Sequence, residues 1–418
     1  MSGAEVRALP VGDPLRARAL YLELERRYLV WDAFVGGARR VDLHPLVLDA
    51  SLHEDAVRTA EDAWKLVAHF AERAHADPDE LARYGLTPDA AALARAARRG
   101  GDAASLVRVD LLLTESGHFR ACEVNVDSPG GFNEAAGLPA LARAAGFRGA
   151  DEPGAPLTAL VDRLCSLSAD GGGGPIGLVH STAYAEDLQI AALVRRRLRA
   201  RGHEGLLLPA TALRAEGGRL HARGRVLSAL YRYFPAEYME GFANVPGVVR
   251  CLEEGAVRSL TSFAFYVAQS KFVYALAWEK KAELPTPLRR AVENVFPYTV
   301  DVATMTSEKL VRERARWVLK RAFGRVGDEV LVGELVDDAS WASLVDEVLL
   351  LRANGERWIA QRRVVQRALA TPWGPRLVTL GAYLCDGRFV GYFARLSEKP
   401  RTSLPAIDRQ SPVNAGRA

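Results

Sequence analysis

"RVDLLLTESGHFRACEVNVDSPGGFNEAA", residues 108–136, sets Arg108, Asp110, Glu123 and Asn125 into two runs otherwise built largely of Val and Leu. Both runs alternate with the period of two that marks a half-buried strand, and Ser116-Gly117 between them reads as a two-residue hairpin loop. With that loop Asp110 faces Glu123 and Arg108 faces Asn125, and all four side chains leave one face of the sheet. The other face takes Val107, Val109, Leu111, Leu113, Cys122, Val124 and Val126. Two carboxylates opposed across a strand pair destabilise it by roughly 0.2–1 kcal/mol. A hard divalent cation removes that repulsion. Asp, Glu and an amide oxygen, completed by phosphate oxygens and water, form the donor set of Mg²⁺ rather than of Ca²⁺ or Zn²⁺. A solvent-exposed hairpin with incidental charges accounts for the same pattern.

Before the hairpin, residues 1 to about 105 read as mostly helical: in "HEDAVRTAEDAWKLVAHFAERA" the apolar positions Val57, Ala60, Trp64, Leu66, Val67 and Phe70 fit a helix stripe. After it, a helical stretch leads to "ADGGGGP" at 169–175, which reads as a flexible joint. "IGLVHS" (176–181) then has the character of a short buried strand, and "AEDLQIAALVRRRLRARG" that of the helix of a strand-helix unit. A second joint is expected between about 245 and 265. The last part mixes helices ("SKFVYALAWEKK", "SWASLVDEVLLL") with strands ("RWVLK", "RWIAQRRVV"), and Asp386-Gly387 between apolar runs signals a hairpin. The expected units are 1–168, helical segment plus hairpin; 175–250, an α/β subdomain; and 266–418, a second α/β lobe.

The bulk numbers narrow the class. A chain of 418 residues, 49% hydrophobic and 25% charged, can build two or three cores without staples. Its four cysteines are widely spaced with no CxxC pair, which argues against a zinc knuckle or a secreted disulfide framework. No window has the length of a signal peptide's apolar region or a membrane span, so the expected location is cytoplasmic, with no membrane partner. The net charge of +4 is mild, and the dense run "RRRLRARG" (195–202) reads as a solvated helix face, so no nucleic-acid partner is expected. Only 7 of the 55 basic residues are lysine, which draws attention to each lysine inside a motif.

Glu123-x-Asn125-x-Asp127-Ser128-Pro129 followed by Glu134-Ala135-Ala136 resembles the synthetase domain of glutathionylspermidine synthase and its relatives, the circularly permuted ATP-grasp proteins. Three later segments resemble the same family in the same order: "ALYRYFPAEYM" (229–239), "SKFVYALAWE" (270–279) and "RWVLKRAFGRVGDEVLVG" (316–333). The metal-binding Glu-x-Asn precedes the nucleotide lysines, as in the permuted branch. The resemblance implies an α/β (α+β) fold, a circularly permuted ATP-grasp with a helical N-terminal segment and a pre-ATP-grasp-like subdomain. The glycine loop, Gly324-x-x-Gly327, is thinner than is usual in that family, and no amidase domain is attached.

The resemblance also implies roles. Lys271, Lys320 and the Gly324–Gly327 loop would clamp the triphosphate of ATP, and Gln361 would border the adenine. Asp110, Glu123 and Asn125 would hold Mg²⁺. Arg108 would stabilise the oxyanion formed when an amine attacks, and Arg395 would sit near the transferred phosphate. The implied activity is ATP-dependent ligation of a carboxylate to an amine through an acyl phosphate, on small-molecule or peptide substrates. Two alternatives stay open: a non-catalytic binding protein that retains nucleotide or precursor recognition, and a phosphotransferase that releases the phosphorylated acid. No general base is identifiable, and neither GxSxG nor HExxH occurs.

Overall fold

The hairpin rests on the longest helix of the chain. In the computed structural model, which describes residues 3–9, 13–35, 37–149, 152–324, 329–400, 409–411 and 413–415, that helix is Ala50–Ala76 (α1). The Asp49 side chain accepts from the Leu52 amide and satisfies one of the free N–H groups of the first turn. Ala56, Ala60, Ala63, Val67 and Phe70 recur three and four residues apart and form its buried stripe.

Strands Leu106–Leu113 (β1) and Phe119–Asn125 (β2) pair antiparallel. Their loop is not the expected two residues. Thr114 N donates to His118 O at 2.9 Å and Gly117 N to Thr114 O at 3.0 Å, so Glu115, Ser116 and Gly117 form a three-residue loop. Gly117, at φ 81°, supplies the left-handed residue that lets such a turn rejoin the ladder. Taken alone this loop shifts the pairing by one and would put Glu123 on the face of Val109. A β-bulge cancels the shift: Leu111 pairs with Ala121, but Asp110 pairs with Glu123 and Arg108 with Asn125. The extra residue is Cys122. It was expected on the apolar face, and it opens instead into the polar cleft with Glu123. Val107, Val109, Leu111, Leu113, Ala121 and Val124 bury against Trp64 and Phe70 of α1 in one core, each such large apolar side chain contributing roughly 1.5–3 kcal/mol.

Helices Phe132–Ala144 (α2) and Ala155–Asp170 (α3) lead into a parallel sheet. Its strands are Ile176–His180 (β3), Gly205–Leu208 (β4), Ala229–Tyr233 (β5) and Ser259–Leu260 (β6), in the order β6-β5-β3-β4. The glycine run is a tight helix-to-strand connection: a Cβ on Gly171 would lie 2.1 Å from Ser228 O. The stretch expected to hold a second joint carries helix Val245–Glu253 and the edge strand β6.

A third layer follows helix Phe272–Glu279 (α4). Strands Thr299–Asp301 (β7), Trp317–Arg321 (β8), Val330–Val332 (β9) and Trp358–Arg362 (β10) form an antiparallel sheet in the order β7-β10-β8-β9. Helix Asp338–Ala353 covers it, with Trp317, Trp341 and Val345 in their shared core. Leu377–Cys385 (β11) and Arg388–Ser397 (β12) then make the expected two-residue hairpin, Asp386 and Gly387 both having positive φ. β11 pairs with β1, and the strand Arg409–Ser411 (β13) completes the order β13-β12-β11-β1-β2. The fold is mixed α/β, and residues from this five-stranded sheet and the β8–β10 sheet line one cleft.

Candidate functional site

Asp110 stands at the centre of the cleft floor. Arg108, two residues earlier and on the same face, donates from Nε to Asp110 Oδ1 at 2.7 Å and from Nη2 to Oδ2 at 3.0 Å. Arg395 reaches the same Oδ2 from β12 at 2.6 Å. Burial opposes ionisation of this carboxyl, but the two guanidinium groups outweigh it and hold it down at about 2. The third arm of Arg108, Nη1, donates to Gly130 O at 2.9 Å. Its charge is secured in spite of burial, because Asp110 lies against it.

Glu123 meets Lys271, whose Nζ lies 3.1 Å from Oε1 and also donates to Gly324 O at 2.6 Å. Lys271 is the residue preceding α4 and is itself buried. Lys320, on β8, donates to Gln361 Oε1 at 2.8 Å and to Cys122 O at 3.1 Å. Gln361 in turn donates to Thr299. Burial pulls the Lys320 ammonium below the ordinary lysine value. Val318, Val330 and Val332 form an apolar wall above these groups, and Arg362, Arg363 and Val364 run along its edge. The enclosed part of the recess has a volume of about 150 Å³, and its open mouth extends it to about 950 Å³.

Arg108, Asp110, Glu123, Asn125, Lys320, Gln361 and Arg395 all line this one cleft, and Lys271 joins it through Glu123. Gly324 touches it through Lys271. Gly327 lies outside the described residues. Sequence reasoning missed the layer behind these groups. Asp127 forms a fully buried ion pair with Arg232, which also donates to Phe234 O and Thr261 O. Gln269 accepts from the Val126 and Asp127 amides, and Tyr274 accepts from the Val124 amide. Tyr383 donates to Gly130 O at 2.5 Å. Asp127 stood inside the quoted motif, but nothing in the local pattern named its partner. Burial pushes the Cys122 thiol up to about 12, so it is an inert lining group.

The donors fit a magnesium ion that completes its shell with phosphate and water. Glu123 Oε2 has no donor among the described residues, and Asn125 turns its amide nitrogen to Asp110 Oδ2 at 3.4 Å, leaving its oxygen available. Asp110 is different, because both of its oxygens are held by arginine. Among the described residues no group of three His, Cys, Asp or Glu side chains could hold a metal by itself. Arg362 and Arg363 are committed to Glu313 and Glu334. Among the described residues, Arg108, Lys271, Lys320 and Arg395 therefore face only the carboxylates of Asp110 and Glu123, an excess of two positive charges.

A family pattern described as glutathionylspermidine synthase preATP-grasp matches residues 44–403 of the chain. Among solved structures, it is similar to a glutathione synthetase-like effector from Globodera pallida in its apo form, with a TM-score of 0.64 and 13% identity over 98% of this chain and 99% of that one. It is also similar to a putative gamma-glutamylcysteine synthetase from Methylobacillus flagellatus KT, with a TM-score of 0.43 and 15% identity over 73% and 78%. No curated protein matches it. The first of these likenesses is one of fold.

Proposed function

The chain belongs to the glutathionylspermidine synthase preATP-grasp family, and from that premise we propose that its cleft binds Mg·ATP and joins a carboxylate to an amine through an acyl phosphate, in a circularly permuted ATP-grasp arrangement. The observation that carries the reading is the convergence, from four separate segments, of four cations upon two carboxylates in one recess. An excess of two positive charges complements the charge of about −2 of a magnesium-bound triphosphate.

Lys320 and Lys271 would hold phosphate oxygens, Lys271 exchanging its contact with Glu123 for one with the nucleotide. Val318, Val330 and Val332 would cover the adenine, with Gln361 beside it. Glu123 and Asn125 are the groups that would hold the metal, which supplies charge neutralisation between phosphates. The substrate carboxylate attacks the γ-phosphorus, ADP leaves, and the acyl phosphate is then attacked by the amine. Arg108 and Arg395, both anchored on Asp110, would stabilise the negative oxygen of the tetrahedral species before phosphate departs. Oxyanion donors of this kind are worth about 3 kcal/mol. Peptide or specialised-metabolite biosynthesis is the setting that suits such a ligase. The family, the alternation of helices and sheets, and the shared cleft support this reading.

The test is a screen of acids and amines read by ADP release and mass spectrometry. A product heavier than the acid by the amine less one water, formed with stoichiometric ADP, is the expected result. ADP formed without an amine and with a phosphorylated acid accumulating would instead make the chain a phosphotransferase.

A further inference from the structure

Gly381 lies buried in the middle of β11, directly opposite Asp110 on one side and Phe393 on the other. Its neighbours along the strand are Val378, Thr379, Leu380, Ala382 and Tyr383, residues that suit a pleated sheet. A glycine among them weakens the strand by roughly 0.5–1 kcal/mol, which usually marks a place where another group comes close. Here the backbone conformation is not the reason, since Gly381 is not among the residues with positive φ.

The reason is space. A Cβ on Gly381 would lie 2.8 Å from Arg108 Cδ and 3.2 Å from Arg108 Cγ, and 3.1 Å from Phe393 O. Directly paired residues project to the same face, so this Cβ would enter the cleft floor where the Arg108 stem crosses β11. From that crossing the guanidinium reaches both oxygens of Asp110 and the carbonyl of Gly130.

We propose that Gly381 is a positioning residue, whose missing side chain lets Arg108 lie across β11 and places its guanidinium on Asp110 and Gly130. It touches no substrate and acts only through Arg108. The inference rests on the role given to Arg108 above for its effect on turnover, but not for its geometry. A methyl group at 381 lifts the stem and breaks the planar fork, and misplacing a catalytic group by about 1 Å costs about 100-fold in rate.

The experiment uses the full chain labelled with ¹⁵N-arginine. The Arg108 Nε–H resonance is assigned by its loss in Arg108→Ala. In the wild type it is protected from exchange, being bonded to Asp110 Oδ1, and in Gly381→Ala it shifts and exchanges rapidly; an unchanged resonance overturns the proposal. Stability gives a second arm. Gly381→Ala costs clearly less in the Arg108→Ala background than in the wild type, because the Arg108 stem is gone and only the 3.1 Å approach to Phe393 O remains; equal costs in both backgrounds overturn it. Should Gly381→Ala fail to fold, the double variant decides: restored folding supports the proposal, and continued failure refutes it. With a substrate pair in hand, Gly381→Ala lowers kcat about 100-fold with the KM for ATP unchanged. Loss of turnover in Arg108→Ala with an undisturbed Arg108 resonance in Gly381→Ala removes the positioning role alone. A disturbed resonance with normal turnover in Arg108→Ala removes the functional role of Arg108 and leaves the geometry standing.

Discussion

Asp110 and Glu123 face each other across a strand pair, yet they are not equivalent residues. Asp110 is buried and gripped by Arg108 and Arg395, so its loss strands two guanidinium groups in a low-dielectric floor. Removing one partner of a buried pair costs about 3–5 kcal/mol. The Glu123 side chain is 26% exposed, and its Oε2 has no donor among the described residues. Glu123→Gln keeps an acceptor for the buried Lys271 but removes its counter-charge, so it is expected to cost stability, less than Asp110→Asn does, while lowering turnover by orders of magnitude, because a metal charge is gone. Asp110→Asn should lose both turnover and stability. Urea unfolding of the two variants checks this, and equal destabilisation would show that Glu123 is a structural partner like Asp110.

At the scale of elements, the hairpin and its neighbours are held together by buried polar contacts. Asp102, just before β1, accepts from the Ser259 amide of β6 at 3.0 Å, tying the five-stranded sheet to the parallel one. Burial raises its carboxyl to about 7, in spite of the Ser259 amide and the charges of Arg258 and Arg232. The folded state thus holds a proton that the unfolded chain releases near the ordinary carboxylate value. Stability contributed by this group is present at low pH and is lost as pH rises from about 4 towards about 7. Asp102→Asn keeps an acceptor for Ser259 and removes the slope, so denaturation at pH 5 and pH 8 should show the variant gaining on the wild type at the higher pH. Parallel profiles would contradict the buried-proton account. The same elements show what a sequence makes legible. Period two placed Arg108, Asp110, Glu123 and Asn125 on one face, because alternation is a local property. Thr114–His118 is compatible with two loop lengths, and a bulge leaves no mark in composition, so the loop and Cys122 were misread even though the pairing at the polar end was right. Gly171–Gly174 looked like a linker because the Ser228 carbonyl against which Gly171 packs is far away in sequence.

Across the whole molecule, the cleft depends on pairings between distant parts of the chain. β1 joins β11, Lys320 reaches back to Cys122, and Asp127 meets Arg232. Residue types, order and spacing identified Lys271, Lys320, Gln361 and Arg395 as candidates through family resemblance. Their meeting with the hairpin comes from long-range topology, which no local pattern carries. Gly381 and Arg232 were invisible for the same reason, since each matters only through a partner elsewhere. No helix among the described residues is long and apolar enough to cross a membrane.

The central claim, that this cleft is a Mg·ATP site, is tested most directly by titrating Mg·ATP into the full chain in a calorimeter, beside Lys320→Ala. The account predicts one nucleotide per chain for the wild type. For the variant it predicts binding weakened at least tenfold, the loss of one charge-assisted contact worth about 1.5–3 kcal/mol. A folded wild-type chain giving no heat up to millimolar Mg·ATP, or a Lys320→Ala variant that binds as tightly as the wild type, would contradict it.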